Sequence, residues 1–199
     1  MSRVSDSIGL PRFDECRFPA TASIPDRLKS ASGESIATAS ELPPELISQL
    51  KAWVDSPTGT LCLTGNVGCG KSYSAAAVYR AICERRNLPT HEAQWMSCQN
   101  ARVVMQYGAQ PTYHFEIART MRFIVLDDMF CLDDRRTDQE WQAVIMARYE
   151  DPRKVTLITT NLSPKEMWNR GLKRVASRIQ AEHNVIEFPD IDLRLEGSL

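Results

Sequence analysis

Residues 65–72 read GNVGCGKS, and this stretch limits the possible folds more than any other part of the chain. Gly65, Gly68 and Gly70 let the backbone bend so that successive amide N–H groups face one anion. Lys71 then sets a positive charge against outer phosphates, and Ser72 offers a hydroxyl to Mg²⁺. Asn66, Val67 and Cys69 complete the loop, and Tyr73 follows it. Such a loop works only between a strand and a helix. The flanks supply both: GTLCLTG is a short apolar run that predicts a buried strand at about 60–65, and KSYSAAAVYRAICERR sets Ala75, Val78 and Ile82 at helical spacing. The helix N-terminus adds its own partial positive charge beneath the phosphates.

The remaining elements alternate in the same way. From Pro43, PPELISQLKAWV carries Leu46, Ile47, Leu50, Trp53 and Val54 along one helical face. EAQWMSC predicts a second strand and ARVVMQY a short helix, followed by a linker containing GAQPTYHF. Phe123 to Leu126 form an apolar strand ending in Asp127 and Asp128; a helix is expected at about 138–150, then the strand VTLITTN. Helical SPKEMWNR and LKRVASRIQ and a last strand, NVIEF, close the pattern. Alternating strands and helices predict an α/β fold with a parallel sheet covered on both faces. Residues 1–42, broken by Pro11, Pro19 and Pro25, are expected to be a partly disordered arm, with one folded domain over 43–195 and a tail over 196–199.

Composition narrows the function. Lys plus Arg number 24 against 25 Asp plus Glu, so nucleic acid would have to be held by local patches and not by bulk charge. The six cysteines form no CxxC pair, which argues for reduced thiols and against zinc. No run long and apolar enough for a membrane span and no signal-peptide core is visible, so a cytoplasmic location is expected.

Carboxylates at the end of a buried strand suit a metal and a water. Asp127 is the candidate Mg²⁺ ligand, and Asp128 the candidate for orienting or deprotonating water, with capping of the next turn as its alternative. Thr159, Thr160 and Asn161 emerge beside the expected outer phosphate; Asn161 can bond that phosphate or the water, or cap the helix starting near Ser163. Between Met167 and Ala181 there is no acidic residue, while Arg170, Lys173, Arg174 and Arg178 all occur. Either these form a solvated face or Arg174 and Arg178, four apart, reach one anion together. Arg102, Arg119 and Arg122 with Tyr107, Tyr113 and Phe115 form a candidate contact for single-stranded DNA, the alternative being that the aromatics are core. Cys69, inside the loop, is expected either to be alkylated in competition with ATP or to be an inert small residue.

In order and spacing, GNVGCGKS, FIVLDDM, LITTNLS and LKRVASRI resemble the DnaC/IstB group of AAA+ ATPases, helicase loaders and transposition helper ATPases, over residues 43–195. The resemblance implies a P-loop NTPase fold, an AAA+ core with a five-stranded parallel sheet; in departure from the family, the short stretch after the last strand leads to the expectation of little or no C-terminal lid. It implies Walker A at 65–72, Walker B at Asp127 and Asp128, Asn161 as first sensor, and Arg174 as an arginine finger reaching a neighbouring subunit. FPDIDLR resembles the closing motif, which makes Arg194 a second sensor in cis. The implied cofactors are ATP and Mg²⁺. The implied partners are single-stranded DNA, a replicative helicase or recombinase-type protein, and further copies of the chain in an ATP-dependent homo-oligomer. Asp128 stands where the family usually has glutamate, so hydrolysis is expected to be slow, and the short N-terminal arm leaves the protein partner unspecified. Two other readings stay open, a small P-loop kinase and a non-hydrolysing switch.

Overall fold

The computed structural model describes residues 23–32, 34, 42–89, 91–98, 111–132, 134–181 and 184–193. Its strands are β1 (Thr60–Thr64), β2 (Ala93–Ser97), β3 (Phe123–Met129), β4 (Val155–Thr160) and β5 (Val185–Glu187). All pair in parallel, in the order β2-β3-β4-β1-β5. Every residue of β1 and β4 is buried, as strands with both faces covered must be.

The period-2 alternation of side chains divides the apolar residues between two cores. Leu61, Leu63, Trp95, Phe123, Val125 and Leu157 face one side, against α1 (Pro44–Asp55) and α2 (Lys71–Arg86). Cys62, Met96, Ile124, Leu126 and Ile158 face the other. There they meet α3 (Pro111–Thr120), α4 (Arg135–Tyr149), α5 (Pro164–Asn169) and α6 (Lys173–Ala181). Local chemistry sets the helix ends. α1 enters through Pro43 and Pro44; Asn87, at φ 48°, closes α2; Asp134 caps α4 by accepting the Arg136 N–H; Ser163 and Glu166 form a reciprocal capping box on α5.

Two stretches differ from the sequence reading. The expected linker around GAQPTYHF contains the start of α3: Pro111 stands at its first position, where a missing N–H costs nothing, and Phe115 and Ala118 bury one face. Phe115 is 3% exposed and meets Trp141 edge-on at 4.9 Å between centroids, so it is core and offers no stacking face for DNA. Arg119 pairs with Glu116 and Glu140, and Arg122 with Glu92. Arg102, Tyr107, the side chain of Tyr113 and the ARVVMQY segment lie outside the described residues.

Residues 23–32, within the expected arm, pack on the first core. Ile24, Leu28 and Ala31 are buried there, and Asp26–Leu28 form a 3-10 turn. Ser23 anchors the segment: its hydroxyl hydrogen-bonds the Tyr79 hydroxyl at 3.1 Å and accepts the Trp95 N–H at 3.0 Å.

Candidate functional site: a phosphate loop over paired aspartates

A parallel sheet gathers ligand-binding groups at the carboxyl ends of its strands. Here β4 lies between β1 and β3, so Asn161, after β4, stands between the loop after β1 and the aspartates of β3. A cleft of about 540 Å³ opens above them. Val67, Gly68, Gly70, Lys71, Ser72 and Tyr73 form one wall, Asp128, Cys131 and Asn161 another, and Arg27, Leu28 and Ser30 a third.

The loop has the backbone its sequence demands. Gly65, Gly68 and Gly70 take φ values of 140°, 88° and 92°, which side chains with a Cβ rarely adopt. Lys71 is buried, and its Nζ donates to the carbonyls of Gly65 at 2.8 Å and Asn66 at 2.6 Å. Cys69 is fully buried, its Sγ 2.9 Å from the Asn66 carbonyl, so the ATP-sensitive alkylation expected of it lacks an accessible thiol and the inert alternative fits the geometry.

A segment that sequence reading assigned to a closing motif lies across the loop. The Asn66 side-chain amide donates to Asp190 at 2.5 Å, and the Leu193 N–H donates to the Gly68 carbonyl at 3.1 Å. A Cβ built on Gly68 would stand 2.2 Å from the Asp192 carboxylate. Gly68→Ala is therefore expected to lower stability by about 1–3 kcal/mol, through left-handed backbone strain and displacement of Asp192. Urea unfolding of Gly68→Ala and of Gly68→Ala/Asp192→Ala separates the two: the double variant should recover the steric part only. An unchanged midpoint in the single variant would contradict this contact.

Below the loop, the end of β3 is irregular. Its register with β4 shifts between Leu126 and Met129, and Asp128 takes φ 55°. Such a bulge re-aims side chains, and here Asp128 lines the cleft while Asp127 is buried beneath it. Asp127 Oδ1 accepts from the Ser72 hydroxyl at 2.7 Å and from the Thr159 hydroxyl at 2.7 Å. Thr159 also accepts the Asp128 N–H at 2.9 Å, so a single hydroxyl of β4 fixes both aspartates. Thr160 instead donates to the Met129 carbonyl and is buried, tying β4 to β3 and not facing a phosphate. Burial pushes the Asp127 carboxyl above its usual range, with the Asp128 charge adding to the rise; the Thr159 and Ser72 hydroxyls and Arg27 pull it down.

These residues suit a hard divalent cation. Asp127 Oδ2 is buried without a hydrogen-bond donor among the described residues, and a buried carboxylate oxygen with no donor requires an explanation. With the Ser72 hydroxyl beside its partner oxygen, it supplies the oxygen ligands that Mg²⁺ takes.

The capping alternative for Asn161 falls to Ser163, which caps α5; Asn161 is half-buried on the cleft wall. The basic run is mostly engaged. Arg170 donates to the carbonyls of Phe130 and Leu132 and pairs with Asp138 at 3.0 Å, stapling the loop after β3. Lys173 lies over Trp168 and Arg178 over Tyr149, which takes Arg178 away from a shared anion. Arg174 is exposed on α6 and is not among the residues lining the cleft. Arg194 lies outside the described residues. Sequence reading missed Arg27, Leu28 and Ser30 as part of the cleft, and no signal in their stretch announces it.

No protein-family model and no curated protein matches the chain. Among solved structures, DnaI is similar at a TM-score of 0.70 and 16% identity, over 88% of this chain and 99% of that one. The DnaC helicase loader is similar at 0.66 and 19%, over 83% and 100%. AMPPCP-bound DnaA from Aquifex aeolicus is similar at 0.59 and 15%, over 73% of this chain and 46% of that one, so this chain spans less than half of that structure. At such identities the likeness is one of fold: a five-stranded parallel sheet flanked by helices, shared with DnaI, the DnaC helicase loader and DnaA.

Proposed function

We propose that this chain binds ATP with Mg²⁺ in the cleft and hydrolyses it, using turnover to load or remodel a protein partner on single-stranded DNA. The observation that carries the reading is the cluster of Ser72, Asp127 and Thr159 under a glycine-rich loop, with Asp127 Oδ2 buried and free of donors among the described residues. Ser72 and Asp127 would hold the metal, which when bound would supply charge neutralisation to the phosphates. Lys71 would exchange the Gly65 and Asn66 carbonyls for phosphate oxygens, a charge-assisted contact at the loop it already spans. Asp128, set in the cleft by the bulge, would orient the attacking water, and Asn161 beside it would contact the water or the outer phosphate.

Arg174, exposed on α6, would act on the nucleotide of an adjoining copy, and Arg194 would contact the phosphates in cis. Helicase loading is preferred over a transposition role or a kinase because the fold is shared with DnaI and the DnaC helicase loader at nearly full coverage of those chains. Single-stranded DNA and a protein partner belong to the same proposed reading.

Calorimetric titration tests the nucleotide site. The parent should bind ATP in the presence of Mg²⁺, and Lys71→Ala should lose roughly 10- to 100-fold in affinity, as expected for one charged hydrogen-bonding group. Equal affinity in the two proteins would remove the loop from the site. Light scattering with ATP and a single-stranded oligonucleotide tests the assembly: growth that needs both supports loading, and indifference to both opposes it.

A further inference from the structure

The turn Asp26–Leu28 brings a cation to the carboxylate assigned to the metal. Arg27 Nη2 stands 3.9 Å from Asp127 Oδ2, the oxygen that accepts no hydrogen bond from the described residues. The Arg27 side chain is 65% exposed and lines the cleft beside Lys71 and Ser72. Its backbone, by contrast, is pinned on both sides. Ile24 and Leu28 are buried, Ser23 bonds Tyr79, the Tyr73 hydroxyl donates to the Ser30 carbonyl at 3.4 Å, and Arg80 donates to the Lys29 carbonyl. The Arg27 side chain, well exposed, has room to move, and it lines the cleft of its own chain.

A guanidinium and a divalent cation compete for one carboxylate oxygen, since Mg²⁺ bonds oxygen at about 2.1 Å and fills an octahedral shell. Displaced from Oδ2, Arg27 has two anionic destinations within its cleft: Asp128 on the opposite wall, or the outer phosphate of a bound nucleotide. The phosphate is the better match, because a planar fork of N–H donors meets phosphate oxygens in pairs. We propose that Arg27 is a positioning residue of the nucleotide site, acting in cis. It shares Asp127 with the divalent cation and turns to the outermost phosphate when the cation takes Oδ2. This inference rests on the reading of the cleft as an ATP and Mg²⁺ site, and it adds a group that couples the N-terminal segment to the nucleotide.

The test is binding, not turnover. Affinities for ATP and ADP are measured for the parent, Arg27→Ala and Arg27→Lys, each in Mg²⁺ and in EDTA. In Mg²⁺, Arg27→Ala should weaken ATP roughly tenfold, ADP much less, and Arg27→Lys should recover part of the loss. In EDTA the parent and Arg27→Ala should bind ATP alike. A purely structural role would weaken every condition equally. Equal losses with and without metal, equal losses for ATP and ADP, or no loss at all would overturn the proposal. A parent that binds no nucleotide would overturn the site itself, and the Arg27 role with it.

Discussion

Asp127→Asn is expected to lower ATP turnover on the order of 10²- to 10³-fold while leaving the metal-free protein at least as stable as the parent. Both effects come from one feature, a buried carboxylate that the proposed reading makes a metal ligand. The asparagine amide would keep an acceptor for the Ser72 and Thr159 hydroxyls but would lose the anionic oxygen that suits Mg²⁺. Stability moves the other way. Burial raises the folded-state pKa of Asp127 above 3.8, so the folded protein holds this proton more tightly than the unfolded chain does. The stability gained from protonation is fully present below the unfolded value and is lost as pH rises through the folded one. At neutral pH the ionised carboxylate is therefore a cost, and asparagine removes it. Arg27 loses a partner 3.9 Å away but is itself well exposed, so little is forfeited there. Phosphate release and urea unfolding in EDTA check the two halves. Parental turnover, or unfolding at clearly lower urea, would show that Asp127 is a structural acceptor and not a metal ligand.

The parts of this molecule that were legible in sequence are those where one short-range rule dominates. Phe123 to Leu126 could only be a buried strand, and the loop glycines could only serve a backbone bend, because neither pattern has a competing use. α3 was hidden by Gly108 and Pro111, which read as punctuation although proline is at home in a first helical turn. Arg170 illustrates a different limit. Its segment holds no acid, so it reads as an unpaired cation, yet Asp138 reaches it from α4 and two loop carbonyls complete its shell. Arg27 was less legible still: a turn between prolines and small polar residues has no periodicity, and its importance arises from where Ile24, Leu28 and Ala31 dock. Ion partners and docking surfaces are long-range facts, and local pattern does not encode them.

Arg148→Ala should be among the most destabilising substitutions in the chain, at about 3–5 kcal/mol, although Arg148 touches neither the loop nor the aspartates. The side chain is 1% exposed and holds no carboxylate; burial lowers its pKa to about 10, so it remains a cation at neutral pH. Its donors go to oxygens of α3, the turn after it and β4. Nε donates to Thr156 Oγ1 at 2.9 Å, one terminal nitrogen to the carbonyls of Ala118 at 2.8 Å and Met121 at 2.6 Å, and the other to Val155 at 2.7 Å. Ala118 lies in the last turn of α3, where carbonyls lack helical partners and the dipole is negative, so a buried guanidinium does there what water would do at a surface. Truncation leaves these acceptors buried and unpaired, at roughly 1–3 kcal/mol each before relaxation, and adds a cavity. Arg148→Met fills much of the volume without restoring a donor and should remain nearly as unstable, whereas a packing role alone would let it approach the parent. Arg148→Lys offers a point charge that cannot reach α3, the turn after it and β4 together, and should recover little. Urea unfolding with an unchanged m-value measures the losses. Because β4 runs from the Arg148 contacts at one end to Thr159 and Asn161 at the other, whatever fraction stays folded should still bind ATP as the parent does; a variant that folds well but loses nucleotide would mean that this staple also sets the geometry of the cleft.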